Sequence, residues 1–94
     1  MWYYVNGNYM SKSEKLLKKL RENPTNVRFE VLDKVLQSYG FECRQPRSGS
    51  SHYIYKLKTV RKTHIITVPF RKPLKKVYVK NALQILDEID AEKS

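Results

Sequence analysis

Ninety-four residues carrying 19 Lys and Arg against 9 Asp and Glu, a net charge of +10, are the length of one domain in which about two-thirds of the surface can be buried. No apolar run of about 18 residues is present, and Met1-Trp2-Tyr3-Tyr4-Val5-Asn6-Gly7 lacks the basic flank and long apolar stretch of a secretory signal, so a cytoplasmic protein without membrane association is expected. The single cysteine, Cys43, excludes an internal disulfide and a thiolate zinc site and reads as a small apolar strand residue.

Along the chain, Trp2, Tyr3, Tyr4 and Tyr9 come first without regular spacing, either capping the core or meeting a partner. Ser11-Lys12-Ser13-Glu14 is a capping box, in which the serine oxygen accepts from the third helical amide and the glutamate reaches back to the cap. Leu16, Leu17 and Leu20 give the buried stripe of the helix it opens, and Asn23-Pro24 ends it. Phe29, Leu32, Val35, Leu36 and Tyr39 repeat at helical spacing and predict a second helix. Gly40 stands where a left-handed C-terminal cap is needed, and Phe41 is positioned to pack back on Leu36.

After Gly40 the pattern alternates. Strands are predicted over 41–45, 51–58 and about 63–68, with Pro46-Arg47-Ser48-Gly49-Ser50 as the first turn and Pro69 stopping the last strand. Tyr53, Tyr55 and Leu57 share one face of the middle strand and His52, Ile54 and Lys56 the other; both carry apolar residues, so the face that meets the helices stays open. A basic connection through Lys72, Lys75 and Lys76 leads to a last helix whose stripe is Val79, Ala82, Leu83, Leu86 and Ile89. The order α-α-β-β-β-α predicts an α+β fold: a two-layer sandwich with helices on one face of a three-stranded antiparallel meander.

The charge is segregated. Residues 1–40 carry a net +3 and residues 81–94 a net −3, so the whole excess falls in residues 41–80, where eleven Lys and Arg face Glu42 alone. One-signed density of this kind self-repels unless an anionic partner relieves it, and a polyphosphate does so by releasing counterions. The plain alternative is a solvated basic face.

A metal-dependent nuclease needs several carboxylates, and the basic segment has one; the acids of the last helix, Asp87, Glu88, Asp90 and Glu92, read as a solvated face. No Gly-rich phosphate loop or dinucleotide fingerprint is present, so no metal and no small-molecule cofactor is expected. His52 follows the Gly49-Ser50-Ser51 turn among Arg44, Arg47 and Lys56. An imidazole titrating near neutrality can take a proton from a ribose 2′-hydroxyl or give one to a leaving oxygen, and neighbouring cations stabilise the charge that builds on phosphorus. The competing role is a packed or surface histidine, and for His64, which shares a face with Ile66 and Val68, packing is the expectation. Tyr53 and Tyr55 are candidates either for stacking on unpaired bases or for the core they share with Leu57.

Four features follow one another in order: Leu36 to Gly40-Phe41 ahead of the first strand, Gly49-Ser50-Ser51-His52, Ile66-Thr67-Val68-Pro69, and the Lys72-Pro73-Leu74-Lys75 run before the final helix. Together they resemble the HicA family, the toxins of HicAB toxin–antitoxin pairs. The resemblance covers about 29–89. It implies a double-stranded-RNA-binding-domain-like fold, a messenger-RNA endonuclease (mRNA interferase) independent of the ribosome, a catalytic histidine at His52, and a HicB-like antitoxin protein covering the active face. It also divides the single domain 1–94 into an N-terminal extension, 1–27, and a HicA-like core, 28–90. Many members have Gly-Ser-His where this chain has Gly-Ser-Ser-His, so either Ser50 or Ser51 shapes the turn. On this reading Arg44, Arg47, Lys56, Lys72, Lys75 and Lys76 bind RNA phosphates. The rival is a non-catalytic RNA-binding module on the same scaffold, and a third possibility is a basic face for an acidic protein partner.

Overall fold

The computed structural model describes residues 2–5, 8–45, 52–70 and 73–93, with side chains from Lys12 onward. Its elements are β1 (Trp2–Val5), β2 (Asn8–Ser11), α1 (Lys12–Glu22), α2 (Phe29–Ser38), β3 (Glu42–Arg44), β4 (His52–Lys58), β5 (Thr63–Pro69) and α3 (Lys76–Lys93). From α1 onward the order is the expected one, and the second sheet is an antiparallel meander, β3-β4-β5.

Ahead of it stands an antiparallel hairpin that the spacing of the aromatics did not suggest, with Trp2 opposite Ser11 and Val5 opposite Asn8. The signal was in the two residues between the strands: Asn6-Gly7 is the sequence that two-residue hairpin loops favour. The hairpin lies against α1, and Ser11 directly precedes that helix, where the capping pattern assigned it.

The end of α2 follows from Gly40. Its φ is +99°, a region closed to most L-residues, and the Gly40 amide donates to the Gln37 carbonyl at 3.0 Å while the Phe41 amide donates to that of Leu36 at 3.2 Å. These are the two bonds of a Schellman cap, and Phe41 and Leu36 join the same buried core.

Alternation along β4 and β5 settles which sheet face is covered. Tyr55, His64, Ile66 and Val68 are buried and Leu57 and Tyr53 are half-buried, whereas His52, Lys56, Lys58, Ile65 and Thr67 are exposed. The inner face meets Leu32, Val35 and Leu36 of α2 and Val79, Ala82, Leu86 and Ile89 of α3 in one core, each large side chain contributing about 1.5–3 kcal/mol. Tyr55 reaches through this layer, its hydroxyl donating to Asp33 Oδ1 at 2.6 Å; burial first and then that carboxylate push its phenol far above the usual range.

Both long helices have a fixed sense relative to the sheet. Phe29, at the start of α2, packs on Tyr53 near the start of β4, and Gly40, just beyond its end, faces Leu57 near the end of β4; α2 therefore runs alongside β4. Glu92, near the end of α3, meets His64 at the start of β5. Eighteen helical residues span about 27 Å and seven strand residues about 23 Å, so α3 runs back along β5. The amino ends of α2 and α3 thus meet where β4 begins and β5 stops, and the Leu74 amide joins them by donating to the Val27 carbonyl at 2.8 Å.

Candidate functional site

That end of the molecule is where His52 stands. It opens β4 opposite Pro69, the last residue of β5, and is exposed. Arg44 lies opposite Ile54 on the neighbouring strand and so shares the outer face with His52. Lys56 is on that face too, but four residues along, about 13 Å from His52 by strand rise, and Glu42 stands across from it. Lys76 begins α3 at the His52 end and Lys75 directly precedes it, both exposed. Arg47, Gly49, Ser50, Ser51 and Lys72 lie outside the described residues.

Two further residues belong to this end and were not singled out by sequence. Arg28 holds the N-cap position of α2, where Ser, Thr, Asp and Asn are usual, in an extended conformation and without a side-chain capping bond. Phe70 follows Pro69 and is 42 % exposed, its ring held 4.9 Å from Phe29 and 5.8 Å from Tyr53. Arg28 was legible as a cation in a position made for a capping acceptor. Phe70 had no local signal, because its partners come from α2 and β4.

The electrostatics of α3 run against its own dipole. A helix is stabilised by anions at its amino end and cations at its carboxyl end, yet its first turn holds no acid while Lys75, Lys76 and Lys80 cluster there and Asp87, Glu88, Asp90 and Glu92 crowd the far end. The far end is compensated by partners. Arg21 of α1 lies 2.6 Å from Asp87, which raises its pKa further; Lys62 lies 3.6 Å from Glu88; and the Tyr39 hydroxyl donates to Asp90 at 2.9 Å, burial and this bond pushing the phenol up to about 12. The basic end has no such compensation in its own first turn, and it is the end beside His52.

Three expectations are settled by burial. Tyr55, 1 % exposed, belongs to the core and offers no ring face to a base. His64, 3 % exposed, is a packed residue, its Nε2 lying 2.9 Å from Glu92 Oε2 and 3.3 Å from Thr59 Oγ1. Glu92 is a correction: it does not join a solvated acidic face, because its side chain is 8 % exposed. The Thr59 hydroxyl, and after it His64, hold its carboxyl below the usual range against the opposing effect of burial. Leu57 pairs with His64 and lies five residues from His52, so the two histidines stand at opposite ends of the sheet.

Among the described residues no three His, Cys, Asp or Glu side chains gather as a metal site, and no helix is long and apolar enough to cross a membrane. The arrangement that remains is an imidazole on the open outer face of the sheet with Arg44, at the same end of the molecule as the joined amino ends of the two inner-face helices, where Arg28, Lys75 and Lys76 are exposed.

No curated protein and no solved structure matches the chain. The family model described as the HicA toxin of bacterial toxin–antitoxin systems matches residues 30–87, from the first turn of α2 into the second half of α3. The matched stretch contains the whole meander and excludes the N-terminal hairpin and α1. With well over half of its length matched, the chain belongs to the HicA toxin family.

Proposed function

We propose that the protein is the endoribonuclease of its toxin–antitoxin pair, an mRNA interferase that cuts RNA at His52 without a metal ion. Family membership makes an antitoxin its partner, and the HicB type is the partner proposed. The observation that carries the reading is that an exposed histidine, two helix amino ends and four cations all lie at one end of the sheet. Amide dipoles at helix amino ends and Arg or Lys side chains both favour phosphate, and the charge order of α3 sacrifices dipole stabilisation to concentrate positive charge there.

In this reaction His52 serves as the general acid–base group. The ribose O2′ attacks the adjacent phosphorus as its proton is taken, the bond from phosphorus to O5′ breaks, and that oxygen leaves protonated, giving a 2′,3′-cyclic phosphate and a 5′-hydroxyl. Arg44, Arg47 and Lys75 stabilise the extra negative charge of the five-coordinate phosphorus. Gly49 with Ser50 or Ser51 shapes the turn that presents the imidazole. Lys56 lies too far along the strand for the same phosphate and binds a neighbouring one, while Lys72 and Lys76 extend the track toward α3. The double-stranded-RNA-binding-domain-like character of residues 28–90, as a core carrying residues 1–27 as an extension, belongs to the same proposal.

The test is incubation of a structured RNA with purified protein in EDTA, beside the same RNA carrying a single 2′-deoxyribose at each mapped cut. The reading expects cyclic-phosphate ends from the first and protection at the substituted position in the second. Tight, steeply salt-dependent binding with no product would select the non-catalytic RNA-binding module instead.

A further inference from the structure

The aromatic group at the rim of the site is the feature that this reaction does not use. Phe29, Tyr53 and Phe70 form a connected set, with ring centroids 4.8 Å apart for Phe29 and Tyr53 and 4.9 Å for Phe29 and Phe70, the latter pair edge-on. Phe29 is buried and Tyr53 half-buried, so two rings anchor the third. Phe70 keeps 42 % of its surface exposed, yet it is not a loose side chain on a loop: its backbone continues directly from the Pro69 position opposite His52.

We infer that Phe70 is a nucleobase platform, stacking on one unpaired base next to the phosphate that His52 addresses. Three observations bear on it. The ring is oriented in advance by Phe29 and Tyr53, so little side-chain entropy is lost when a flat ligand covers it. It packs on Phe29, the chain neighbour of Arg28, at the end of the sheet that carries the cations, and a charged groove with an anchored aromatic is how single-stranded nucleic acid is held without a sequence code. Every base has a π-face, so a phenyl ring without a hydrogen-bonding group selects for an unpaired base rather than for a particular one. A base within a duplex is already stacked on both faces and is not available to it, so the residue ties cleavage to single-stranded positions.

This inference rests on the proposed RNA substrate, and its test separates the two. The probe is a ten-nucleotide RNA carrying the fluorescent base 2-aminopurine at each position in turn, with 2′-deoxyribose at any nucleotide the wild-type protein cuts. Wild type and Phe70→Trp are expected to quench one position, and Phe70→Leu, which still covers Phe29 and Tyr53, to lose the quench and bind about tenfold more weakly. In cleavage, Phe70→Leu is expected to raise KM about tenfold with kcat within about twofold of wild type, an effect that Phe70→Tyr does not share. RNA that is cut with no quenched position, or a leucine variant that binds and quenches like wild type, overturns the platform and leaves the nuclease standing. A Phe70-dependent quench without cleavage does the reverse. Should Phe70→Leu unfold on thermal melting, Phe70→Tyr and Phe70→Trp still decide the question, since loss of the quench in both, with the fold intact, contradicts stacking.

Discussion

The Leu74 amide donates to the Val27 carbonyl at 2.8 Å, and both side chains are buried, at 2 % and 6 % exposure. This contact between two connections holds the amino ends of α2 and α3 together at the end of the sheet where β4 begins. Truncating Leu74→Ala removes most of a buried side chain and is expected to cost about 2–5 kcal/mol. Urea unfolding measures it, and an unchanged midpoint would mean that the contact is dispensable.

Gly40 is required by its backbone and not by space. A Cβ there would meet Leu57 Cδ1 at 3.5 Å, an ordinary contact, whereas φ of +99° strains any L-residue. Gly40→Ala is therefore expected to lose about 1–2 kcal/mol of stability, with a smaller loss for Gly40→Asn. RNA binding should be unaffected in the folded fraction, because Gly40 lies at the end of the sheet remote from His52.

Acid stability should depend on Glu92. Its carboxyl sits below the ordinary value because of Thr59 first and His64 next. A carboxylate whose folded pKa is depressed stabilises the fold above its unfolded pKa of about 4.3, and that stabilisation is lost as the pH falls toward the folded value. Glu92→Gln should lower the thermal midpoint at neutral pH and flatten its decline in acid. Melting curves across the acid range check this, and a variant whose curve parallels wild type throughout would contradict the coupling.

The cations at the amino ends should act on RNA affinity in a countable way. Each of Arg28→Ala, Arg44→Ala and Lys75→Ala is expected to weaken binding and reduce the slope of log affinity against log salt by about one. Arg21→Gln, at the other end, should leave that slope unchanged. Its partly exposed pair with Asp87 is worth about 0.5–1 kcal/mol of stability. Filter binding at several salt concentrations distinguishes the two groups.

Local chemistry made much of the fold legible in the sequence. Gly40-Phe41 with Leu36 specified a helix end, the stripe from Val79 to Ile89 specified the face of α3, and His64, Ile66 and Val68 were correctly grouped on one strand face. The outer and inner faces of β4 were not distinguishable, because Ile54 and Tyr55 are both apolar and only the helices decide between them. What depended on residues far apart in the chain was hidden. His64 and Glu92 are 28 positions apart on elements with different periods, and Phe70 meets Phe29 only after α2 has packed on the sheet. The N-terminal hairpin was legible and overlooked, since Asn6-Gly7 stands between its two strands. For the candidate site, the basic stretch and His52 could be read directly, but the placing of two helix amino ends at the same end of the sheet as that histidine came from packing.

The central claim is that His52 moves a proton during RNA cleavage. The most direct measurement is the single-turnover cleavage rate of one defined RNA, in EDTA, by wild type and His52→Ala at equal saturation. A rate lower by about 10²- to 10⁴-fold with RNA affinity little changed is expected. Equal rates for the two proteins would contradict it.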